Sequence, residues 1–396
     1  MIIIHILTFL LFCYLAGTLA YLFVLAVAGR LGKLRRYSTY PDHARIAILI
    51  PSYKDDSVII TTALKALEQN YPADKYTVTV IADKLLPETT QSLRALPITV
   101  IEPVFEKSMK ARSIHAAFQQ LPDEDYDVAL ILDADNIMSP DCLAKINHAW
   151  HSGWQVMQCH RTAKNKNTSI AILDALSEEI NNTIFRRGQR VLGLSCALIG
   201  SGMAFGFGLV KGIFELDRIH NNPGEDKEIE IILLQKGLTV EYLEDAFVYD
   251  EKVQRKEVFE KQRTRWLATQ INNMKLFWEK GMRSHFTQKA YLHKFFQTLI
   301  LPRLLLMLLF AGLLLLAGID IFAGTHILLP AWKWWLLPVL LYSLALTIAV
   351  PPSFYNLATL KAFLKMPVIL FSVIKALLGM KKSRSEFLHT PKEFSG

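Results

Sequence analysis

The chain has 396 residues, 52% of them hydrophobic and 20% charged, and a formal net charge of +8. This apolar content excludes a disordered or fibrous protein and exceeds what one soluble domain needs. Many basic residues flank apolar segments, where anionic lipid headgroups are the nearer partner, so no nucleic acid is expected.

Residues 2–28 contain one His and no Asp, Glu, Lys or Arg. At about 1.5 Å per residue they cross a bilayer core of roughly 30 Å, so residues 1–29 read as a transmembrane anchor. Positive charge follows the apolar run, in Arg30, Lys33, Arg35 and Arg36, rather than preceding it as in a signal peptide. The positive-inside rule then puts the N-terminus outside and residue 30 onward in the cytoplasm, in a plasma or inner membrane. The four cysteines are dispersed without Cys-x-x-Cys spacing, as suits a reducing compartment.

Residues 43–266 read as one α/β domain. Arg45 to Pro51 and Tyr76 to Ala82 are strands, ending in Ser52, Tyr53 and Asp55 and in Asp83, with a helical pattern between them. Such alternation implies a mostly parallel sheet with ligands outside the strands' carboxyl ends. Lys110 lies in a basic loop entering a helix, where lysine opposes the helix dipole; a shared phosphate would explain it, as would a solvated turn. Val128 to Leu132 is a buried strand ending in Asp133-Ala134-Asp135, whose two carboxylates either cap a turn or hold a hard cation such as Mg2+.

Gly200-Ser201-Gly202 allows close approach to a ligand or simply a tight turn. Glu225-Asp226 opens a helix, and a carboxylate there could take a proton from a sugar hydroxyl. Glu244-Asp245, in a strand from Thr239 to Tyr249, is the second acidic pair. In Gln262-Arg263-Thr264-Arg265-Trp266, Gln262, Arg265 and Trp266 share one helical face that could line a sugar-diphosphate site. Residues 267–298 read as interfacial helices and 299–355 as two further transmembrane helices with an aromatic belt, Pro330 to Trp335, between them. Crossing again would put the basic tail outside, so residues 362–380 read as an interfacial or half-buried helix before a cytoplasmic tail, 381–396, with a fourth span as the alternative.

The order of these motifs resembles the membrane-embedded family 2 glycosyltransferases, the group that includes cellulose, chitin and hyaluronan synthases. The resemblance rests on Pro51-Ser52-Tyr53-Lys54-Asp55, Asp83, Lys110, Asp133-Ala134-Asp135, Gly200-Ser201-Gly202, Glu225-Asp226 and the Gln-x-x-Arg-Trp form of Gln262 to Trp266. It implies a GT-A fold and a nucleotide-sugar donor, in this group usually a UDP-sugar. By analogy Tyr53, Asp55 and Asp83 hold the nucleotide with Lys110 beside it, and Asp133 and Asp135 position Mg2+ or Mn2+ on the diphosphate. Asp226 is then the general base of an inverting transfer, while Gln262, Arg265 and Trp266 bind the acceptor end or pyrophosphate.

Phe387-Leu388-His389-Thr390-Pro391-Lys392 resembles the gating loop of bacterial cellulose synthases, with Thr390 and Lys392 over the nucleotide, although His389 departs from the pattern. Ala82-Asp83-Lys84 departs too, leaving Asp83 without the second acid that many relatives have. The implied acceptor is a growing polysaccharide or a lipid-linked group; a non-processive enzyme acting on polyprenyl phosphate, sphingolipid or diacylglycerol fits three spans as well. Few spans make a wide polymer channel hard to build from one chain, though a homo-oligomer could add helices. A transporter or a non-catalytic scaffold with a nucleotide-binding domain are the remaining alternatives.

Overall fold

The computed structural model describes residues 1–33, 35–220, 222, 224–254, 258–259, 262, 274–275, 277 and 288–367. Helix α1 (Ile2–Leu31) exposes Ile2, Ile3, Leu7 and Leu10 toward its start and buries Leu15, Leu19, Leu22 and Leu25 further along. The sheet domain follows with β1 (Ile46–Tyr53), α2 (Asp56–Ala66), β2 (Tyr76–Asp83), α3 (Pro87–Arg94), β3 (Thr99–Ile101), α4 (Lys110–Phe118) and β4 (Val128–Ile131). Next come β5 (Ile137–Met138), α5 (Cys142–His151), β6 (Val156–Ala163) and α6 (Ser169–Asn181), which runs into a π-helical turn, Asn182–Gly188, and α7 (Gln189–Val191). β7 (Met203–Gly206), α8 (Phe207–Phe214), α9 (Asp217–His220), α10 (Glu225–Gln235) and β8 (Glu241–Asp250) complete the domain.

The strands form one sheet in the order β3-β2-β1-β4-β7-β6-β8-β5. Four of its seven pairings are parallel, including those joining β3, β2, β1 and β4. Alternate residues of β1 serve two cores: Ile46, Ile48 and Ile50 pack with α2 and α5, Ala47 and Leu49 with α4 and α8. Burial on both faces is why these strands are continuous apolar runs rather than alternating ones.

Beyond the sheet lie α11 (Lys289–Thr298), α12 (Arg303–Ala323), α13 (Leu336–Ala349) and α14 (Leu357–Phe363). Three helical stretches are long and apolar enough to cross a membrane: Ile2–Leu31, Leu305–Ala323 and Trp332–Ala349. Proline at 302 starts α12, since its fixed φ suits the first turn, so the helix begins a few residues later than the apolar block. Asp320 accepts the Thr325 hydroxyl at 2.8 Å and the Ile327 and Leu328 N–H groups at 2.6 and 2.8 Å, closing the loop after α12. That turn-closing role explains an acid in an otherwise apolar helix without any transport pathway.

The candidate spans and the sheet domain share a core, in which Leu15, Leu19 and Leu22 of α1 join Leu306, Tyr342 and Ala345 and also Ala175, Leu176 and Ile180 of α6. Two glycines bring α1 against the π turn: a Cβ on Gly29 would lie 2.2 Å from the Thr183 carbonyl oxygen, and one on Gly188 2.2 Å from that of Leu25. Arg187 then donates to the Gly29 and Gly32 carbonyls at the end of α1 and pairs with Glu244 at 2.6 Å. A cation there complements the helix dipole. Within the stretch 267–298, α11 docks on α10: Tyr291 is buried with Ile231 and Leu234, and Lys294 meets Glu230 at 2.5 Å.

Candidate active site

Parallel strands bring their carboxyl ends to one edge, which is why polar residues gather there. β1 and β2 are in register so that Tyr53 lies beside Asp83. Lys54 and Lys84 follow the two strands, each at φ +56°, and hold their ammonium groups 5.4 and 5.8 Å from the Tyr53 ring centre. Sequence reasoning did not single out these two lysines; their place directly after strand ends was the available signal. Asp55 begins α2, and its carboxylate accepts the Tyr53 N–H at 3.3 Å. Asp83 is buried behind this corner: Ser108 donates to one carboxylate oxygen at 3.1 Å, and the other has no hydrogen-bond partner among the described residues. Burial pushes its carboxyl above the usual range, against Ser108 and the two lysines.

The Asp133–Asp135 turn is held from below. Ser201 accepts the Asp133 N–H at 2.9 Å and donates to Asn136 Oδ1 at 2.5 Å; Asn136 Nδ2 in turn reaches Asp250 at 3.0 Å and Asp135 at 3.2 Å. Gly202 lets Ser201 sit there, with φ +65° and a Cβ position only 3.1 Å from Val248 and 3.3 Å from Cys159. The glycine-serine-glycine segment is thus a tight turn that braces the acidic one. Lys110, first residue of α4, bridges Asp133 Oδ1 and the Gly200 carbonyl, each at 2.5 Å, with Glu225 at 4.0 Å.

Glu225 and Asp226 open α10, with Glu225 close to Lys110. Burial pushes the Glu225 carboxyl up to about 7, with Lys110 opposing and Asp226 adding to the shift. Asp226 accepts the Lys227 N–H at 2.9 Å. Glu244-Asp245, the other acidic pair, lies elsewhere: Glu244 pairs with Arg187, and the Asp245 carbonyl accepts from Lys145.

One cavity of about 1290 Å³ joins these groups to the apolar helices α1, α12 and α13. Tyr53, Asp55, Lys110, Asp133, Asp135, Asp226 and Gln262 line it at one end, and Leu22, Ile300, Leu306, Tyr342, Ala345 and Phe354 at the other. Asp83 lies beside Tyr53 and is not among the residues on the cavity wall. Arg265, Trp266, Thr390 and Lys392 lie outside the described residues, as do most of the half-buried helix expected at 362–380 and the tail.

The family model described as glycosyltransferase like family 2 matches residues 43–269. The chain belongs to this family. A mannosyltransferase from Pyrobaculum calidifontis, solved with GDP-mannose and Mn2+, is similar in structure at TM-score 0.56 with 15% identity, over 94% of this chain and 99% of that one. At that identity the likeness is one of fold, GT-A. Glucosyl-3-phosphoglycerate synthase from Mycobacterium tuberculosis, solved with Mn2+, UDP and glucosyl-3-phosphoglycerate, has TM-score 0.39 and 14% identity over 58% of this chain and 80% of its own. TarS residues 1–349 from S. aureus has TM-score 0.36 and 15% identity over 62% and 75%. No curated protein matches the sequence.

In this glycosyltransferase the middle of the cavity is a buried ionic cluster that sequence reasoning did not find. Arg161 meets Glu178 at 2.7 Å, and Lys252 meets both Glu178 and Asp250, the latter at 2.6 Å. Burial alone would push the Glu178 carboxyl up, but Arg161 and Lys252 hold it well below the usual range. Through Asp250 and Asn136 this cluster touches the acidic turn, and through Glu178 it belongs to α6, whose Ser177 and Asn181 hold Arg303 of α12 at 2.8 and 2.6 Å.

Proposed function

We propose that this family 2 glycosyltransferase moves one sugar from a nucleotide-diphosphate donor, a UDP-sugar by family resemblance, to a lipid acceptor that enters from the bilayer. The observation that carries this reading is the single cavity running from Asp133 and Asp226 to apolar walls between α6, α12 and α13. An amphiphile could lie there with its tail among Leu306, Ala345 and Phe354 and its head at the carboxylates. The three candidate spans and the basic residues after α1 support a membrane protein with the N-terminus outside and the sheet domain on the cytoplasmic side.

Asp133 and Asp135 fit a hard divalent cation, Mg2+ or Mn2+, by donor chemistry: two carboxylates one residue apart, on one cavity wall, in a turn fixed by Ser201 and Asn136. Among the described residues no third His, Cys, Asp or Glu joins them, which leaves coordination positions for phosphate oxygens. When bound, the ion supplies charge neutralisation for the leaving diphosphate. Tyr53, flanked by Lys54 and Lys84, and Asp55 orient the nucleotide, and Lys110 adds positive charge beside the diphosphate. Asp226 takes the acceptor proton as its oxygen attacks the anomeric carbon, and inversion follows from a single displacement.

The test is to incubate the full chain in lipid vesicles with a panel of nucleotide sugars and Mg2+ or Mn2+ and to weigh the products. One added sugar on a lipid is expected. A ladder of lengthening glycan would overturn the reading in favour of a polymer synthase.

A further inference from the structure

The π turn after α6 carries a buried cation that the transfer described above does not use. Arg186 lies on the cavity wall and is 3% exposed. Among the described residues its one side-chain hydrogen bond runs from Nη1 to Asn182 Oδ1 at 2.6 Å; Nε has no partner, and no carboxylate forms an ion pair with it. Burial pushes the guanidinium below its usual range, yet an arginine stays charged. The charge of Glu178 offsets part of that burial, but Arg161 at 2.7 Å and Lys252 already bind this carboxylate. Burying a cation without a paired anion is costly, and a ligand that brings the anion removes the cost. Turns of the π form are rare and recur at functional sites.

The neighbours of Arg186 place it along the cavity. Its charge is felt at Lys227, the residue after Asp226, and at Glu178 of α6. Ile180, further along α6, packs in the apolar cluster with Leu306, Ala345 and Phe354. Arg186 therefore stands between the proposed base and the walls proposed for the lipid tail, and Arg303, bound to Ser177 and Asn181, adds positive charge on the same wall. A guanidinium suits phosphate oxygens, which its planar fork of N–H groups can bind two at a time. The base makes a second demand on the same molecule: a phosphate monoester would attack through an oxygen that is already ionised, whereas Asp226 has work to do only on a hydroxyl.

Resting on the lipid-acceptor reading above, we infer that the acceptor is an anionic lipid bearing both an esterified phosphate and a free hydroxyl, with Arg186 holding the phosphate and the hydroxyl standing at Asp226. In the transfer, the lipid hydroxyl oxygen bonds to the anomeric carbon while the bond from that carbon to the donor's diphosphate oxygen breaks. The hydroxyl proton goes to Asp226, and the nucleoside diphosphate leaves with the bonding electron pair. The lipid's own phosphate makes and breaks no bond.

The experiment uses the full chain in phosphatidylcholine vesicles doped in turn with phosphatidylglycerol, a polyprenyl-diphospho-N-acetylglucosamine, dioleoylglycerol or a polyprenyl monophosphate, together with the nucleotide-sugar panel and Mn2+. Transfer to one of the first two is expected, and the one that accepts identifies the source of the phosphate. Preference for dioleoylglycerol or for the monophosphate would overturn this inference while leaving the lipid-acceptor reading intact; a glycan ladder in vesicles of phosphatidylcholine alone would overturn that reading itself. Arg186→Met should raise the KM for the accepting lipid by about 10- to 100-fold, as loss of a hydrogen bond to a charged group does, with the donor KM unchanged. Its melting temperature should equal or exceed that of the wild type, because a buried unpaired cation is gone. Arg186→Lys should recover part of the lipid KM. An unchanged lipid KM in Arg186→Met, or a raised donor KM in its place, overturns the inference. A readout without metal or donor is thermal melting: phosphatidylglycerol or the polyprenyl diphosphate sugar should stabilise the wild type more than dioleoylglycerol does, and Arg186→Met should lose that difference. The same difference in both proteins counts against the inference.

Discussion

Asp226 carries the proposed proton transfer, so Asp226→Asn should lower the transfer rate by about 10²–10⁴ while donor binding, measured calorimetrically, stays near wild type. Full activity in that variant removes it from the mechanism. Its neighbour Glu225 makes a pH-dependent contribution to the fold. Burial raises its carboxyl from 4.5 to about 7, so the folded state favours the protonated form. The associated stability is fully present below the unfolded value near 4.5 and is lost as pH rises through 7. Glu225→Gln should therefore raise the melting temperature more at pH 8 than at pH 5; equal shifts at both pH values would contradict the assigned burial. Ser201→Ala should strip the acidic turn of its brace, costing roughly 1–3 kcal/mol and raising the Mn2+ concentration for half-maximal activity. The polar residues at strand ends were legible as a group because parallel topology dictates where they gather. Lys54, Lys84 and the partners of Glu178 were not, because their roles depend on left-handed backbone or on segments joined only by the fold.

At the scale of elements, helices and strands with strong periodicity could be read directly: α1, β1, β2, α10 and the two later apolar helices fall where the pattern puts them. The contact between α1 and the π turn could not, since a glycine in an apolar helix carries no sign of what approaches it. Gly29 and Gly188 leave no space for a side chain against the facing carbonyls. Gly188→Val should lower the melting temperature by an amount corresponding to about 1–3 kcal/mol of overpacking. A neutral effect would mean that the helices separate at no cost. The docking of α11 is a similar case: Tyr291 is buried with Ile231 and Leu234 of α10 and Lys294 pairs with Glu230, contacts that its basic, aromatic sequence does not announce.

Taken whole, α1 is packed into the fold rather than standing apart from it. Leu15, Leu19 and Leu22 of α1 cover Leu176 and Ile180 of α6, the helix that also lines the cavity with Ser177 and Asn181. Deleting residues 1–31 should therefore lower transfer to lipid even in detergent, where membrane targeting no longer matters. Retained activity in detergent would show that α1 only anchors. The family and the GT-A fold were legible from motif order, but the reach of one cavity from catalytic edge to membrane was not, because α6, α12 and α13 meet only in three dimensions.

Arg187 gives this arrangement a fixed height. By gripping the last carbonyls of α1 while also holding Glu244 of β8, it bolts the end of the membrane helix to the sheet. The acidic end of the cavity is thereby kept at a set distance from the end of α1.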